Sequence, residues 1–538
     1  MAKSSTIILA LLLITQFSFG QNGRYAIFFK DKSGSSFSTN NPIAFLSQKS
    51  IDRRIKNDVS TTEEDFPVSP DYVTQLNNTG AKVLHTSRWM NCALVQVEGG
   101  ELADVLNLPF VVTAEYLGPL KTFSGGRTGR VRQNKDTKAG EANTMQNAML
   151  GLNEMHNDNV YGEGVTIAVF DSGFIGVDVH APFTHLFTNG QIQFTADLVG
   201  LTNNVYQYDD HGTEVLSVMA AQQEGVYIGG TPKANYHLYL TEDVQREHRI
   251  EEYNWLVAAE KADSAGVDII TTSLGYNLFD DPSMNYTTSQ LDGGTALVSR
   301  AAAKALAKGM VVVVSAGNEG NTAWKLVDPP ADVDGVLAVG AINMSGSLSG
   351  FSSIGPTSDN RIKPDVVALG SNVTVIKSNG ATGTSSGTSV ATPLVASLAA
   401  GLIQVFPELT VAELYQLIIA SADLSQNPNN QKGYGVPNYI SAKIILGDDG
   451  SVVPPSAIHI YPNPTIGDLV KIKVDAPPGQ LAVLRLYNIQ GSIVMKSEGA
   501  LSYVNNPIEL DLSGFSAGLY ILKVEIGSIL KTVRLIKF

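Results

Sequence analysis

Three short segments of this 538-residue chain carry, in order, a carboxylate, an imidazole and a hydroxyl suited to nucleophilic acyl transfer. In Val169-Phe170-Asp171-Ser172-Gly173 an apolar run ends in a carboxylate where Ser-Gly lets the chain turn. In Asp210-His211-Gly212-Thr213-Glu214-Val215 a histidine opens a helix-like stretch running through Met219. In Gly387-Thr388-Ser389-Val390-Ala391-Thr392-Pro393 small residues surround a serine at the head of an apolar helical segment. Each has an ordinary explanation on its own: an Asx turn, a structural histidine, a helix cap. Together they make a system. A serine hydroxyl is a poor nucleophile until a base takes its proton. Histidine, with an ordinary pKa of about 6.5, can be that base, and a buried carboxylate fixes its tautomer and stabilises the imidazolium.

The order Asp…His…Ser is one of three convergent arrangements of such a triad, the one belonging to subtilisin. On these motifs the chain resembles the subtilisin-like serine proteases, the subtilases, over roughly residues 145–446, with Val390 where methionine is commoner. The resemblance implies that Asp171, His211 and Ser389 form the triad of a serine endopeptidase acting on protein or peptide substrates. It also implies that Asn318, in Ser315-Ala316-Gly317-Asn318-Glu319-Gly320, donates to the oxyanion together with the Ser389 backbone N–H. Ser273-Leu274-Gly275 would pair with an extended substrate as if adding a strand, and Ala316 and Gly317 fall in the same substrate-binding set. Pro329-Pro330-Ala331, ahead of Val336 to Ala341, resembles the floor of the specificity pocket and puts Asp328 at or beside it. A carboxylate there would favour Lys or Arg before the scissile bond; the alternative is a solvated loop residue. The family needs no cofactor for catalysis. Many members bind calcium, but no compact liganding loop stands out here, so no metal site is assigned.

The elements that must position these residues are legible as a pattern. Val165 to Phe170, Val267 to Ile270, Met310 to Val314 and Val336 to Val339 are short, fully apolar runs. Alanine-rich helical stretches lie between them, at Tyr253 to Ala265, Gly294 to Lys308 and Ser389 to Phe406. Strands without polar alternation are buried on both faces, and their alternation with helices implies a mainly parallel sheet in an α/β fold. The resemblance implies the same three-layer α/β/α fold. Ligands of such sheets bind beyond the carboxyl ends of the strands, which is where the candidate residues fall.

The flanks complete the organisation. Residues 1–20 read as a secretory signal, with Lys3, an apolar run from Ile7 to Ile14 and small residues before a cleavage point. Residues 21–120 read as a small α+β unit with strands near Arg24 to Phe29 and Val111 to Tyr116 and a helix near Asp71 to Leu76. Ahead of a subtilase domain this looks like a propeptide that assists folding and blocks the cleft; a permanent accessory domain is the alternative. Residues 121–144 have almost no large apolar side chains and read as an exposed processing linker, with Arg127, Arg130, Arg132, Lys135 and Lys138 as cleavage points. The catalytic domain takes 145–446 and a second linker 447–454.

Alternating short strands over 455–538 read as a small β-sandwich. Its Tyr461-Pro462-Asn463-Pro464 opening and Gly518-Leu519-Tyr520 strand resemble the C-terminal sorting domains of the type IX secretion system of Bacteroidetes-type bacteria. The resemblance implies export through the outer membrane, with the secretion machinery and the chain's own propeptide as partners; a carbohydrate- or surface-binding β-sandwich is the alternative. A net charge of −14 argues against nucleic-acid binding. No segment reads as transmembrane, and one cysteine, Cys92, allows no intramolecular disulfide. The competing function is a catalytically inert surface or adhesion protein on the same fold.

Overall fold

The computed structural model describes residues 22–120, 139–446 and most of 458–537. The signal segment 1–20, the basic stretch from Arg127 to Lys138 and the linker 447–454 lie outside the described residues. The expected linker over 121–144 ends sooner than its polar composition suggests, because Ala139–Met149 is already helical. The chain forms two compact units: residues up to 38 together with 62–124, and residues 39–61 together with 125–538.

In the first unit four antiparallel strands, β1 (Gly23–Phe29), β2 (Lys82–Ser87), β3 (Cys92–Val97) and β4 (Val111–Gly118), lie in the order β2-β3-β1-β4. Tyr25, Ile27, Phe29, Leu76, Val95 and Phe110 share one apolar core beneath it. Cys92 is buried and is in no disulfide.

The second unit is built on seven parallel strands: β5 (Thr166–Asp171), β6 (Ile192–Asp197), β7 (Asn235–Leu240), β8 (Ile269–Thr272), β9 (Val311–Ser315), β10 (Leu337–Ile342) and β11 (Val366–Leu369). Their order is β11-β10-β9-β8-β5-β7-β6, each neighbouring pair parallel. β5, β8, β9 and β10 are buried along their whole length, as their largely apolar sequences without polar alternation suggest. The sheet order changes direction in the chain around β5 and β8. The crevice beyond the carboxyl ends of those strands is where such sheets hold ligands.

Six helices matter for the site and its support: α1 (Gln48–Lys56), α2 (His211–Ala220), α3 (Ile250–Ala265), α4 (Leu297–Ala307), α5 (Thr388–Val405) and α6 (Val411–Ala420). Helix α5 is apolar on nearly every face because it runs through the core, with Val390, Leu394, Val395, Leu398 and Leu402 buried. By length and composition it could cross a membrane, yet 78% of it is buried in the protein. It packs against α2 and against strands of the sheet, so the histidine and serine segments enter the crevice from neighbouring helices.

At the C-terminal end, strands 458–461, 469–474 and 508–511 form one antiparallel sheet, and strands 481–487, 493–500, 518–526 and 529–537 form another. Val470 and Leu510 of the first share a core with Leu484, Leu522 and Leu535 of the second, which makes this region a small β-sandwich.

Candidate active site

Asp171 is the last residue of β5, fully buried, where the strand delivers its carboxylate to the crevice. Its Oδ1 accepts hydrogen bonds from the Ser172 N–H at 2.8 Å and the Ser172 hydroxyl at 3.2 Å. The same oxygen pairs with His211 Nδ1 at 2.8 Å. His211 is the first residue of α2. The two segments approach so closely that a side chain at Gly212 would meet the Asp171 Cβ at 3.0 Å and the Gly173 carbonyl at 2.5 Å. Only glycine fits there. About a third of the His211 side chain is exposed (34%) while its Asp171 partner has none, so the imidazole's far side faces the cleft. Burial alone would lower the His211 pKa; the charge and hydrogen bond of Asp171, with Asp209 and Glu214 beyond, outweigh it and hold it at about 9.

Ser389 sits in the first turn of α5, half-buried. Its backbone N–H belongs to the helix start, where no intrahelical acceptor exists. Its carbonyl accepts from the Ser273 hydroxyl at 2.8 Å, which ties the serine to the strand end that carries Ser273-Leu274-Gly275. The Asp171–His211 pair is therefore hydrogen-bonded, whereas no hydrogen bond joins His211 to Ser389. In free enzymes this second contact is often long and closes only around a bound substrate.

Asn318 stands exposed just past β9. Its Oδ1 accepts from the Thr388 N–H at 2.9 Å and from the Thr388 hydroxyl at 3.1 Å, which turns the amide NH₂ the other way. A point one bond off Gly387 Cα lies 3.6 Å from Ser389 N, 3.6 Å from Asn318 Oδ1 and 3.7 Å from Asn318 Nδ2. The Asn318 amide and the Ser389 N–H thus border one small space beside the serine. Thr388 lay inside the serine motif, but its bond to a residue 70 positions away has no local sequence signal.

Ala316 and Gly317 are buried between β9 and Asn318. Asp328 is only 6% exposed and lies directly behind both glycines of the substrate-binding set. A Cβ on Gly275 would meet the Asp328 Cβ at 2.8 Å, and one on Gly317 would collide with the Asp328 carboxylate. Asn277 Nδ2 donates to Asp328 Oδ1 at 2.7 Å. Burial, with Glu319 nearby, raises the Asp328 pKa well above the ordinary carboxylate range, against the opposing Asn277 and Trp324 hydrogen bonds.

A cavity of about 420 Å³ next to this edge is lined by Ser172, Asp209, Leu274 and Gly275 on one side and by Glu242 and Glu247 on another. Oxygens of Glu242, Glu247 and Glu251 lie within 4.8 Å of one another. Burial first, and neighbouring carboxylates second, raise the pKa of all three. The Glu251 oxygens accept from the Asp243 and His248 N–H groups at 2.7 and 2.9 Å, and Glu242 Oε1 accepts from the Tyr276 hydroxyl at 2.6 Å. Both Glu251 oxygens and Glu242 Oε1 are thus engaged by protein donors, and no metal is assigned to the set.

The sequence profile of the Subtilase family matches residues 162–435. The chain belongs to that family. Residues 24–136 match the Peptidase S8 propeptide domain of Bacteroidota, and residues 459–537 match a secretion system C-terminal sorting domain. These two segments mark the subtilase chain for export by type IX secretion to the cell surface or beyond. Serine protease AprX of Bacillus subtilis strain 168 is 30% identical over 50% of this chain and 64% of its own length. The chain thus spans less than two thirds of that relative. Subtilisin of Bacillus pumilus is also 30% identical, over 50% of this chain and 87% of its own length. The crystal structure of the epidermin leader peptide processing serine protease of Staphylococcus aureus has the same fold, with a TM-score of 0.54 at 17% identity, over 79% of this chain and 98% of that one.

Proposed function

We propose that this chain is a secreted serine endopeptidase that hydrolyses protein or peptide substrates through an acyl-enzyme on Ser389. The observation that carries the reading is the 2.8 Å His211–Asp171 bond, set at the carboxyl end of β5 within the segment that matches the Subtilase family. His211 Nε2 takes the Ser389 proton as Ser389 Oγ attacks the peptide carbonyl. The resulting oxyanion is held by Asn318 Nδ2 and the Ser389 N–H. His211 then protonates the departing amine, and water, activated by the same imidazole, releases the acid. Asp171 holds the tautomer throughout. No cofactor enters these steps. The extended substrate pairs with the Ser273-Leu274-Gly275 edge, and Asp328, behind Gly275 and Gly317, favours Lys or Arg before the scissile bond.

On this reading residues 21–120 are the chain's own propeptide, 121–144 the processing segment, 145–446 the protease and 455–538 the tail recognised by the type IX machinery. A catalytically inert adhesion protein would have no use for the Thr388 bonds that aim Asn318. Expression of the precursor with and without Ser389→Ala, followed by N-terminal sequencing, tests the function. The unsubstituted chain is expected to acquire a new N-terminus between residues 121 and 144, after a basic residue, and the variant to stay intact. An unsubstituted precursor that folds, stays uncut and hydrolyses no peptide would overturn it.

A further inference from the structure

Residues 39–61 fall inside the stretch that matches the propeptide profile, yet they belong to the compact unit that contains the seven-stranded sheet. Helix α1 is stitched to that unit along one side. Asp263, near the end of α3, has a side chain with no exposed surface and two arginine partners. Arg53 Nη2 meets its Oδ1 at 2.5 Å and Arg54 Nη2 its Oδ2 at 2.7 Å, with both arginine side chains almost wholly buried. Arg53 also donates to the Val267 carbonyl at 2.5 Å and the Lys308 carbonyl at 3.2 Å, at the ends of α3 and α4. Two more bonds flank this pair: Ser47 N–H to the Ser264 carbonyl at 2.8 Å, and Val411 N–H, at the start of α6, to the Asn57 side-chain Oδ1 at 2.8 Å. Lys49 Nζ pairs with Asp268 at 2.6 Å and reaches the Thr166 hydroxyl at 2.8 Å. Gly266 admits the helix; a Cβ there would strike Lys49 and the Ser50 nitrogen at 2.6 and 2.8 Å. The void left between Arg53, Asp268 and Leu414 is only about 10 Å³.

Thr166 and Asp268 stand where β5 and β8 begin. Asp171 and Ser273 stand where those strands end, about 15–20 Å away at roughly 3.3 Å per residue. This seam is therefore at the base of the sheet, remote from the catalytic crevice, and whatever binds it competes with no substrate. A guanidinium stays charged at any working pH and matches a carboxylate geometrically. Removing one partner of a buried ion pair while the other stays buried is strongly destabilising, so a substitution on either side of this seam should loosen the helix.

We propose that residues 47–57 are a foothold at the base of the protease sheet, anchored on Asp263, that keeps the prosegment bound after the chain is cut between prosegment and protease. The inference rests on reading residues 24–136 as a prosegment. The test uses the full chain in a Ser389→Ala background, with a recognition site for an exogenous protease placed in 121–138, so its outcome does not depend on the chain's own activity. After cutting, the N-terminal fragment is expected to co-elute with the protease on gel filtration, and the amides of 48–56 to stay protected from hydrogen exchange. In an Arg53→Gln/Arg54→Gln chain, and separately in Asp263→Asn, the fragment should dissociate about 100-fold faster or more. Asp52→Asn, on the exposed face of the same helix, should leave the rate within a few-fold. Unchanged release in both the arginine and the Asp263 variants would overturn the proposal. So would amides of 48–56 that exchange freely in the cut, otherwise unsubstituted chain, a measurement that needs no substitution in the seam to fold.

Discussion

The charge state of His211 gives a prediction that can be followed over the whole pH range. A general base must be neutral before it can accept the Ser389 proton. With its pKa held at about 9 by Asp171, Asp209 and Glu214, only about one His211 in a hundred is neutral at pH 7 and about one in ten at pH 8. The kcat/KM of the processed enzyme on a non-titrating peptide should therefore climb about tenfold per pH unit through the neutral range and level off near pH 9. Asp171→Asn removes the main opposing charge and leaves burial dominant, so the limb should move below its ordinary position near pH 6.5. The plateau should fall by about 10⁴-fold, the size known for the equivalent change in a chymotrypsin-type triad. Stability follows the same group with the opposite sense. A histidine whose folded pKa exceeds its unfolded value contributes stability in full below about pH 6.5, and loses it as pH rises through about 9. Rate profiles and thermal melts over pH 5.5–10.5 read both effects. A rate limb at or below pH 6.5 in the unsubstituted enzyme, or a limb that Asp171→Asn does not move, would refute the electrostatic reasoning.

On the proposed oxyanion role of Asn318, Asn318→Ala should lower kcat about 100- to 1,000-fold with little change in KM, the size known for such a donor in subtilisin. Thr388→Val keeps the backbone bond to Asn318 but deletes the hydroxyl bond, so kcat should fall by only about 2- to 12-fold and KM should hold. Asp328→Ala should erase a preference for Lys or Arg while sparing cleavage after apolar residues, measured with a peptide library. Because burial raises the Asp328 pKa, that preference in the unsubstituted enzyme should strengthen as pH rises; a preference independent of both the substitution and pH would remove Asp328 from the pocket.

The parts of this fold that announce themselves in sequence are those whose burial is complete. β5, β8, β9 and β10 read as strands because short apolar runs without polar alternation mark strands buried on both faces, and Asp171 is conspicuous as the carboxylate closing one of them. β6, with an Ile-Gln-Phe-Thr-Ala-Asp sequence and a partly exposed pattern at the sheet edge, has no such signature. β11 is four residues long, too short for a period to emerge. Helix α5 was legible from its small and apolar residues, and its serine from the helix start. The connections that refine the site are long-range: Thr388 to Asn318, Ser273 to Ser389, Asp328 behind Gly275 and Gly317. Local periodicity cannot encode them. The arginine pair of α1 illustrates this best, since Arg53 and Arg54 look like ordinary charges on a surface helix until a carboxylate about 210 residues later buries them.

The most direct test of the triad is covalent. The processed protein, incubated with a fluorophosphonate probe at pH 9 and digested for mass spectrometry, should carry the label on the peptide containing Ser389, with labelling slowed by Asp171→Asn and abolished by His211→Ala. A folded, processed protein that leaves Ser389 unmodified, or that labels equally well without His211, would contradict the account.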